Sequence, residues 1–467
     1  MSSRKLCLII IAFITALLMA SCTLSMEVDP EDTGKPGISD AGSTTTVSEE
    51  GGTMGGSDPG NSVETDGQQE GTTSIPEGTS LTPTPAPTAG DLPPVENAAQ
   101  EADFEPAFVG QTRVNGTVTS TPLAVEIIND DLDSPWAVTP LPDGRLAVTE
   151  KGGTLRLVTA NGDLSSKIEG FPQVDSRNQG GLLDVAPAPD FTDSRMLYFT
   201  LAERTGQGSL TAVGRGRLTE DESRIEDFEI VYRAGPYYDN SMHFGSRLLF
   251  DDGGNLFIST GERSDSRTRS RAQELDNGYG KIIHITPDGA PAPGAPFTDG
   301  VDADWTEIYS FGHRNVQGID LHPETGELWV SEMGPRGGDE LNLILPGKNY
   351  GWPEISYGIE YGGSSVGSGQ AVLDGMEQPV YYWDPVIAPS GMTFYDSVEI
   401  PEWQNNLFIG GLRGSHIARL VIHENKVIAE ERLLAAEGER FRDVTELDGI
   451  LFAVTDSGLL YRIRKAN

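Results

Sequence analysis

Cysteine is nearly absent from the 467-residue chain, which has only two, Cys7 and Cys22. Both lie within the first 22 residues, so the rest of the chain contains none. This excludes a disulfide framework, an iron–sulfur cluster and a cysteine-based zinc site from any domain that follows.

Basic residues are scarce as well. Lys and Arg total 33 against 71 Asp and Glu, which gives a net charge of −38 at pH 7. A protein that binds nucleic acid needs a basic surface to neutralise the phosphates, so this composition argues against a nucleic-acid partner.

No segment of the chain shows a sustained helical stripe of apolar residues. Glycine and proline, in contrast, are abundant, at 56 and 30 residues. So many turn-forming residues are typical of a β protein with many short connections rather than of a helical bundle.

The first 22 residues have the pattern of a bacterial export signal. Two basic residues precede an apolar run from Leu6 to Leu18, which is short for a membrane span. Small residues and then Cys22 follow, and they resemble a lipobox in which Cys22 carries the lipid. An ordinary cleaved signal peptide is the alternative. Both interpretations predict export, and the lipobox predicts a cell-envelope lipoprotein anchored to a membrane, with its folded domain on the periplasmic or extracellular side.

Residues 23–115 have a different composition from the rest. Ser, Thr, Gly and Pro dominate, and Lys35 is the single basic residue between positions 27 and 105. Such a segment cannot bury enough apolar surface to offset the entropy lost on ordering. The composition predicts a disordered acidic linker over 23–115 and a folded domain over 116–467.

The folded domain repeats one local pattern six times. Each unit has a short apolar strand, a turn rich in Asp, Asn or Gly, and a second apolar strand, as a β-hairpin requires. The second strands begin at equivalent leucines, namely Leu146, Leu197, Leu256, Leu328, Leu407 and Leu451.

A third strand follows most of these hairpins. The segments that show this pattern are 154–158, 281–285, 340–344, 416–420 and 459–463. Six similar units of roughly this length indicate radial repetition. We therefore predict an all-β fold, a six-bladed β-propeller of four-stranded antiparallel blades, with a β-sandwich as the alternative.

Unusual polar residues lie in the loops that join these strands. Turn formation alone does not require His, Arg and Glu at these places. The motifs are His243-Phe-Gly-Ser-Arg, Gly261-Glu-Arg, Gly312-His-Arg-Asn, Gly334-Pro-Arg-Gly-Gly-Asp-Glu, Asn349-Tyr-Gly-Trp-Pro and Arg440-Phe-Arg-Asp.

Through these ordered motifs the chain resembles the quinoprotein aldose and glucose dehydrogenases. These are soluble six-bladed propellers that use pyrroloquinoline quinone and calcium. The resemblance covers residues 121–464. A single one of these motifs would be weak evidence, whereas several in the same order are specific.

The resemblance implies catalytic roles for three side chains. His243 matches the general base that takes the proton of the sugar's anomeric hydroxyl. Glu262 stands where the family can have an Asp that orients that base, and its identity departs from that pattern. Arg314 matches a residue that stabilises the developing oxyanion, and Asn315 beside it matches a residue over the quinone.

The resemblance also implies a set of cofactor and metal positions. Those that match contacts to the quinone or its substrate are Gln179, Arg314, Asn315, Trp383, Arg413, Arg440 and Arg442. Gly334 and Pro335 match the carbonyl ligands of the calcium beside the cofactor. Asp339, Glu340 and the Tyr350 carbonyl stand where a second, structural calcium can bind.

These residue types suit the implied chemistry. The quinone has three carboxylates, which guanidinium forks bind well. A hard cation with oxygen ligands polarises a carbonyl for hydride attack, and a His near neutral pKa suits proton abstraction from an alcohol. The protein binds and orients while the cofactor accepts the hydride.

The expected activity is the oxidation of aldose sugars to lactones, with electrons passed to a dye, a quinone or a cytochrome. Two alternatives come from other classes: a non-catalytic extracellular binding propeller and a calcium-dependent lactonase. A lactonase would surround a central metal with several carboxylates and would not need the Arg cluster. A binding module would not need His243 and Arg314 together.

Overall fold

The computed structural model describes residues 90–297 and 305–467. The predicted export signal, Cys22 and the linker as far as residue 89 lie outside the described residues. Among residues 90–297 and 305–467, no helix is long and apolar enough to cross a membrane. The only α-helix described there is the single turn α1 (Phe191–Ser194), and 3₁₀ turns occupy Arg269–Gln273 and Pro401–Trp403.

Twenty-three strands make up the described fold. The first twelve are β1 (Leu123–Asn129), β2 (Pro135–Pro140), β3 (Leu146–Glu150), β4 (Thr154–Val158), β5 (Leu182–Pro187), β6 (Met196–Thr205), β7 (Gly208–Leu218), β8 (Ile225–Tyr238), β9 (Gly245–Phe250), β10 (Leu256–Thr260), β11 (Lys281–Ile285) and β12 (Ile308–Phe311). The others are β13 (Val316–Leu321), β14 (Leu328–Glu332), β15 (Asp339–Ile344), β16 (Tyr381–Trp383), β17 (Pro389–Phe394), β18 (Leu407–Gly411), β19 (His416–His423), β20 (Lys426–Leu433), β21 (Phe441–Leu447), β22 (Ile450–Thr455) and β23 (Leu460–Lys465).

These strands form six antiparallel sheets, which are the blades of a propeller. In chain order the blades are β2–β3–β4, β5 to β8, β9 to β12, β13 to β16, β17 to β20, and β21–β22–β23 with β1. The first has three strands, and isolated bridges at Leu155–Ile168 and Val158–Leu164 extend its outer edge. The predicted six-bladed propeller is confirmed.

The ring closes through the two ends of the domain. Strand β1 pairs antiparallel with β23, so the first strand is the outer strand of the sixth blade. All six anchor leucines lie at the start of the second strands of their blades, as predicted: four are the first residue, and Leu197 and Leu451 are the second. Apolar clusters fill the space between blades; one joins Leu155 and Leu157 of β4 with Leu197 and Phe199 of β6.

The inner strands surround a central channel that a buried arginine crosses. Arg247 of β9 lies 3.1 Å from Asp443 and 3.5 Å from Asp184, and its guanidinium stacks 4.4 Å from the ring centre of Trp136. The two aspartates also accept backbone N–H groups of neighbouring blades, from Val138 and Leu248, both at 2.8 Å. Arg247 and its aspartates therefore tie four blades together beneath the loops that carry the unusual residues.

Residues 90–121, which we name the N-terminal strap, lie against the propeller as irregular chain with several bends and a turn at residues 109–110. Gly116 bridges to Leu92 and to Glu430 of the fifth blade, and the Gln111 side chain is fully buried. Residues 90–115, which the composition assigned to the linker, therefore contact the propeller. Composition did not reveal this because the strap is bound by its main-chain groups and by a few isolated side chains rather than by an apolar face.

Removal of the strap is expected to destabilise the propeller. Gln111 donates to the Pro379 carbonyl at 2.9 Å, accepts from the Tyr357 hydroxyl at 3.0 Å, and receives the Tyr382 N–H at 2.8 Å. At about 1 kcal/mol for each net hydrogen bond, a chain lacking residues 1–115 should lose about 3 kcal/mol relative to one lacking residues 1–89. Denaturant unfolding measures the difference, and equal midpoints would contradict it.

Candidate active site

The loops at one end of the channel enclose a cavity of about 360 Å³. Six of the side chains that line it are Trp136, Lys151, Gln179, Gln317, Arg440 and Arg442. They come from blades one, four and six and from the loop before β5. The propeller thus brings together residues that lie 306 positions apart in the chain, such as Trp136 and Arg442.

His243 and Glu262 form a buried pair next to Gln179, which lines this cavity. His243 Nδ1 lies 2.7 Å from Glu262 Oε1, and both residues are at most 5% exposed. No ion pair joins Glu262 to its neighbour Arg263 among the described residues. Arg263 turns away, donates to Ser209 and Asn240, and stacks 3.7 Å from the ring centre of Phe244.

The surroundings of His243 favour its neutral form. Burial, and after it the positive charge of Arg314, lowers the pKa of His243, while Glu262 opposes this change. Because a carboxylate can only accept, the neutral ring donates its Nδ1–H to Glu262 and leaves Nε2 as an acceptor. The arrangement is therefore able to accept a proton at Nε2.

Two predicted residues hold the backbone around His243. Its N–H donates to Gln179 Oε1 at 2.7 Å, and the N–H of Gly245 donates to Asn315 Oδ1 at 3.0 Å. His243 has a φ of 46°, a left-handed conformation that costs energy for a residue with a side chain. The Gln179 and Asn315 amides compensate for that cost, so they position the ring as well as bordering the site.

Arg314 lies between the His243 pair and the Gly334 loop. Its Nη1 donates to the Met333 carbonyl at 2.9 Å, and its guanidinium lies 5.2 Å from the ring centre of Trp352. Its Nε and the Glu262 Oε2 are buried and have no hydrogen-bond partner among the described residues. A donor and an acceptor at the site are thus left unsatisfied.

A cationic cluster forms the sixth-blade side of the cavity. Arg440 and Arg442 both bond to Asp456, at 2.8 Å each, and Lys151 donates to the Asn178 carbonyl at 2.6 Å. Burial alone would raise the pKa of Asp456, but Arg442 and Arg440 hold it below its usual range. Three cations face one carboxylate, so the cluster can accept an anion with several carboxylates.

The Gly334–Pro335 loop offers free carbonyls beside Arg314. Neither the Gly334 nor the Pro335 carbonyl accepts a hydrogen bond from the described residues. Asp339 fixes the loop by accepting the Gly334 N–H at 2.8 Å and the Ala388 N–H at 2.7 Å. Gly334 is required, because a Cβ there would collide with the Gly338 carbonyl. Two unpaired carbonyl oxygens are ligands that calcium accepts.

Glu340 and Tyr350 border one small cavity next to this loop. Burial, and after it the charge of Glu332, raises the pKa of Glu340 well above its usual range. The Tyr350 carbonyl accepts no hydrogen bond from the described residues. A cation here would offset the repulsion between Glu332 and Glu340, whereas Asp339 is fully engaged by backbone N–H groups. The fit to the predicted second calcium site therefore rests on Glu340 and Tyr350.

Two predicted cofactor residues are not brought to the cavity. Trp383 is 3% exposed and packs edge-on against Tyr381 in the apolar cluster between the fourth and fifth blades. Arg413 is exposed in the turn between β18 and β19, and its neighbour Leu412 lines the cavity instead. Local motif matching could not show which residue of each turn points inward.

Several residues that line the cavity were not predicted from the sequence. Lys151, Met333, Leu412 and Asp456 each directly follow the second strand of a blade. Glu262 occupies a similar place, two residues after β10. The common signal was available in the sequence, since the ends of the six second strands must converge on one mouth of the channel.

The described residues contain no group of three or more His, Cys, Asp or Glu side chains placed to hold a metal ion. The candidate calcium ligands are of another kind, namely main-chain carbonyls with one carboxylate. Calcium commonly takes such oxygen ligands.

Comparison with known proteins gives concordant matches. Residues 132–462 match the family model described as Glucose / Sorbosone dehydrogenase. The chain is 42% identical over 349 residues to the aldose sugar dehydrogenase YliI of Escherichia coli, covering 73% of this chain and 93% of the relative.

Solved structures agree with the sequence matches. The apo form of the soluble aldose sugar dehydrogenase of E. coli is 41% identical with a TM-score of 0.70, covering 74% of this chain and 100% of that one. The PQQ-bound aldose sugar dehydrogenase of Streptomyces coelicolor is 28% identical with a TM-score of 0.61, covering 74% and 99%.

Proposed function

The chain belongs to the glucose/sorbosone dehydrogenase family, and from this premise we propose that it oxidises aldose sugars at the anomeric carbon to lactones with pyrroloquinoline quinone and calcium. One observation carries the proposal: a neutral histidine backed by a carboxylate is bonded through its N–H to Gln179, which lines a cavity together with Arg440, Arg442 and Lys151. The PQQ-bound relative supports the choice of cofactor.

The chain's residues fit both groups. Arg440, Arg442 and Lys151 would hold the quinone's carboxylates, and the carbonyls of Gly334 and Pro335 would hold calcium. When bound, the quinone with its calcium supplies the acceptor for a hydride.

The protein's own part in the reaction is to move one proton and to stabilise charge. His243 Nε2 takes the proton of the anomeric hydroxyl while the hydrogen on the same carbon leaves as hydride, so that the sugar loses two electrons and becomes the lactone. Glu262 holds the ring through Nδ1 and stabilises the imidazolium that forms. Arg314 is the donor to the charge that develops on oxygen.

The proposal includes the setting of the enzyme. Lipidation of Cys22 would anchor the exported chain to a membrane, with the propeller on the periplasmic or extracellular side. The electrons would then leave the reduced cofactor for an external acceptor, a dye in the laboratory and a quinone or cytochrome in the cell envelope.

The direct test is reconstitution. Apoprotein supplied with the quinone and calcium should reduce a redox dye when an aldose is added, and the quinone absorbance should change on binding. Omission of either component is the control. Lactone hydrolysis without the quinone would favour the lactonase alternative, and sugar binding without turnover would favour the binding module. The Arg–Lys cluster supports neither alternative.

A pH profile tests the role of Glu262. Since burial and Arg314 lower the pKa of His243, kcat/KM should fall only below about pH 6.5, where an unperturbed imidazole gains its proton. Glu262 raises that pKa, so Glu262→Gln should move the acidic limb to still lower pH. The plateau should drop about tenfold or more because the amide no longer stabilises the imidazolium. An acidic limb displaced to higher pH would contradict this assignment.

A further inference from the structure

The N-terminal strap touches the loop that carries the free carbonyls. We infer that residues 98–113 of the strap are a positioning element for the Gly334–Gly338 loop, and hence for its calcium. The inference rests on the proposed function in one respect, namely that Gly334 and Pro335 are calcium ligands. It gives a segment that precedes the propeller a part in building the cofactor site.

The first contact is an ion pair to the loop itself. Arg336 Nε donates to Glu101 Oε2 at 2.6 Å, and the two side chains are 44% and 24% exposed. Arg336 directly follows Pro335, and its main chain pairs with Ile359 in both directions. The strap therefore holds the side chain of the residue next to a proposed ligand.

The second contact acts through a buried carboxylate. Asp384 accepts the Glu101 N–H at 2.8 Å and the Ala102 N–H at 3.0 Å. Arg113 donates to the Asp384 carbonyl at 2.7 Å and to the Ala98 carbonyl at 2.8 Å. On its other side the Asp384 carboxylate packs against Gly337, where a Cβ would lie 3.0 Å from it. The strap and the loop thus share one rigid support.

The third contact supports the end of the loop. Gln111 of the strap binds the Tyr357 hydroxyl at 3.0 Å, and Tyr357 stacks on Tyr382 with ring centres 4.0 Å apart. The main chain at Tyr357 lies so close to Gly338 that a Cβ on that glycine would come within 2.7 Å of its carbonyl carbon.

The loop needs such support. Gly337 and Gly338 have φ of 83° and 68°, and glycines lose more conformational freedom on ordering than other residues. Carbonyl ligands converge on one ion only when the backbone is held in place before binding. Contacts that fix the loop in the metal-free protein therefore favour calcium binding.

The test uses charge reversal in the full chain. Glu101→Arg and Arg336→Glu should each speed amide hydrogen exchange across residues 333–340 in metal-free protein. Each should also weaken calcium binding, titrated without quinone, by about fivefold, the upper range for an exposed ion pair. The double variant should restore both quantities, since it rebuilds the pair in reverse. Glu101→Gln should shift them in the same direction by a smaller factor.

Glu96→Arg is the matched control. Glu96 belongs to the same strap and pairs with Arg432 at 3.0 Å, on the fifth blade. Reversing the charge of Glu96 should leave the amide exchange of residues 333–340 and the calcium affinity at their parental values. Unchanged loop exchange in Glu101→Arg, or no restoration in the double variant, overturns the inference. If amide exchange across residues 333–340 speeds up in the variants but the parent binds no calcium, the assignment of the loop as a calcium site is wrong. The strap's role in positioning the loop then still holds.

Discussion

His243→Ala is expected to lower turnover by about 10²–10⁴-fold while the quinone still binds, which is the usual contribution of a general base. The reason is geometric. Glu262 occupies Nδ1, so Nε2 is the only ring nitrogen available to take the sugar's proton. The measurement is dye reduction at saturating sugar, quinone and calcium, with quinone binding followed separately by absorbance.

His284→Ala is the matched control for that experiment. His284 also pairs with a carboxylate, Asp251 at 2.8 Å, and lies in the same blade, but at the end remote from the cavity. The His284→Ala variant should melt at a lower temperature than the parent, because it loses the ring that stacks on Phe257. Its turnover should stay near the parental value. If His243→Ala turns over as fast as the parent, His243 is not the general base and the proposed mechanism is wrong.

Local patterns sufficed to predict the blades. A hairpin turn and an apolar second strand are adjacent in sequence, so the leucines from Leu146 to Leu451 could be aligned without knowledge of the fold. Pairing of β1 with β23 joins the two ends of the domain, and no local pattern records it. The strap was missed for a related reason, since its order depends on partners such as Asp384 that lie far along the chain.

Part of the site could be predicted because some of its residues lie together in short local motifs. Motifs that lie on one loop, such as Gly334-Pro335, were recognisable, and the structure brings His243, Glu262, Arg314, Arg440 and Arg442 to one mouth of the channel. Lys151 lies in no motif, and only the convergence of strand ends shows its place. Trp383 and Arg413 matched by position, but their side chains point elsewhere.

Replacement of both arginines of the sixth blade should abolish most of the quinone affinity. A charge-assisted hydrogen bond contributes about 1.5–3 kcal/mol, so Arg440→Ala with Arg442→Ala should weaken binding by about 10²–10⁴-fold. The loss has a second source. Both guanidiniums now bond to Asp456, and without them its negative charge would face the incoming carboxylates.

Four variants separate these effects. Arg413→Ala removes the same charge from the neighbouring exposed turn and should leave the quinone dissociation constant within about twofold, because screened surface charges contribute little. Arg442→Ala alone should cost more than Arg440→Ala alone, since the Arg442 side chain is 14% exposed against 52%. Adding Asp456→Asn to the double variant should recover part of the loss by removing the repulsion. Quinone titration at fixed calcium measures all of them, and parental affinity in the double variant would place the cofactor site elsewhere.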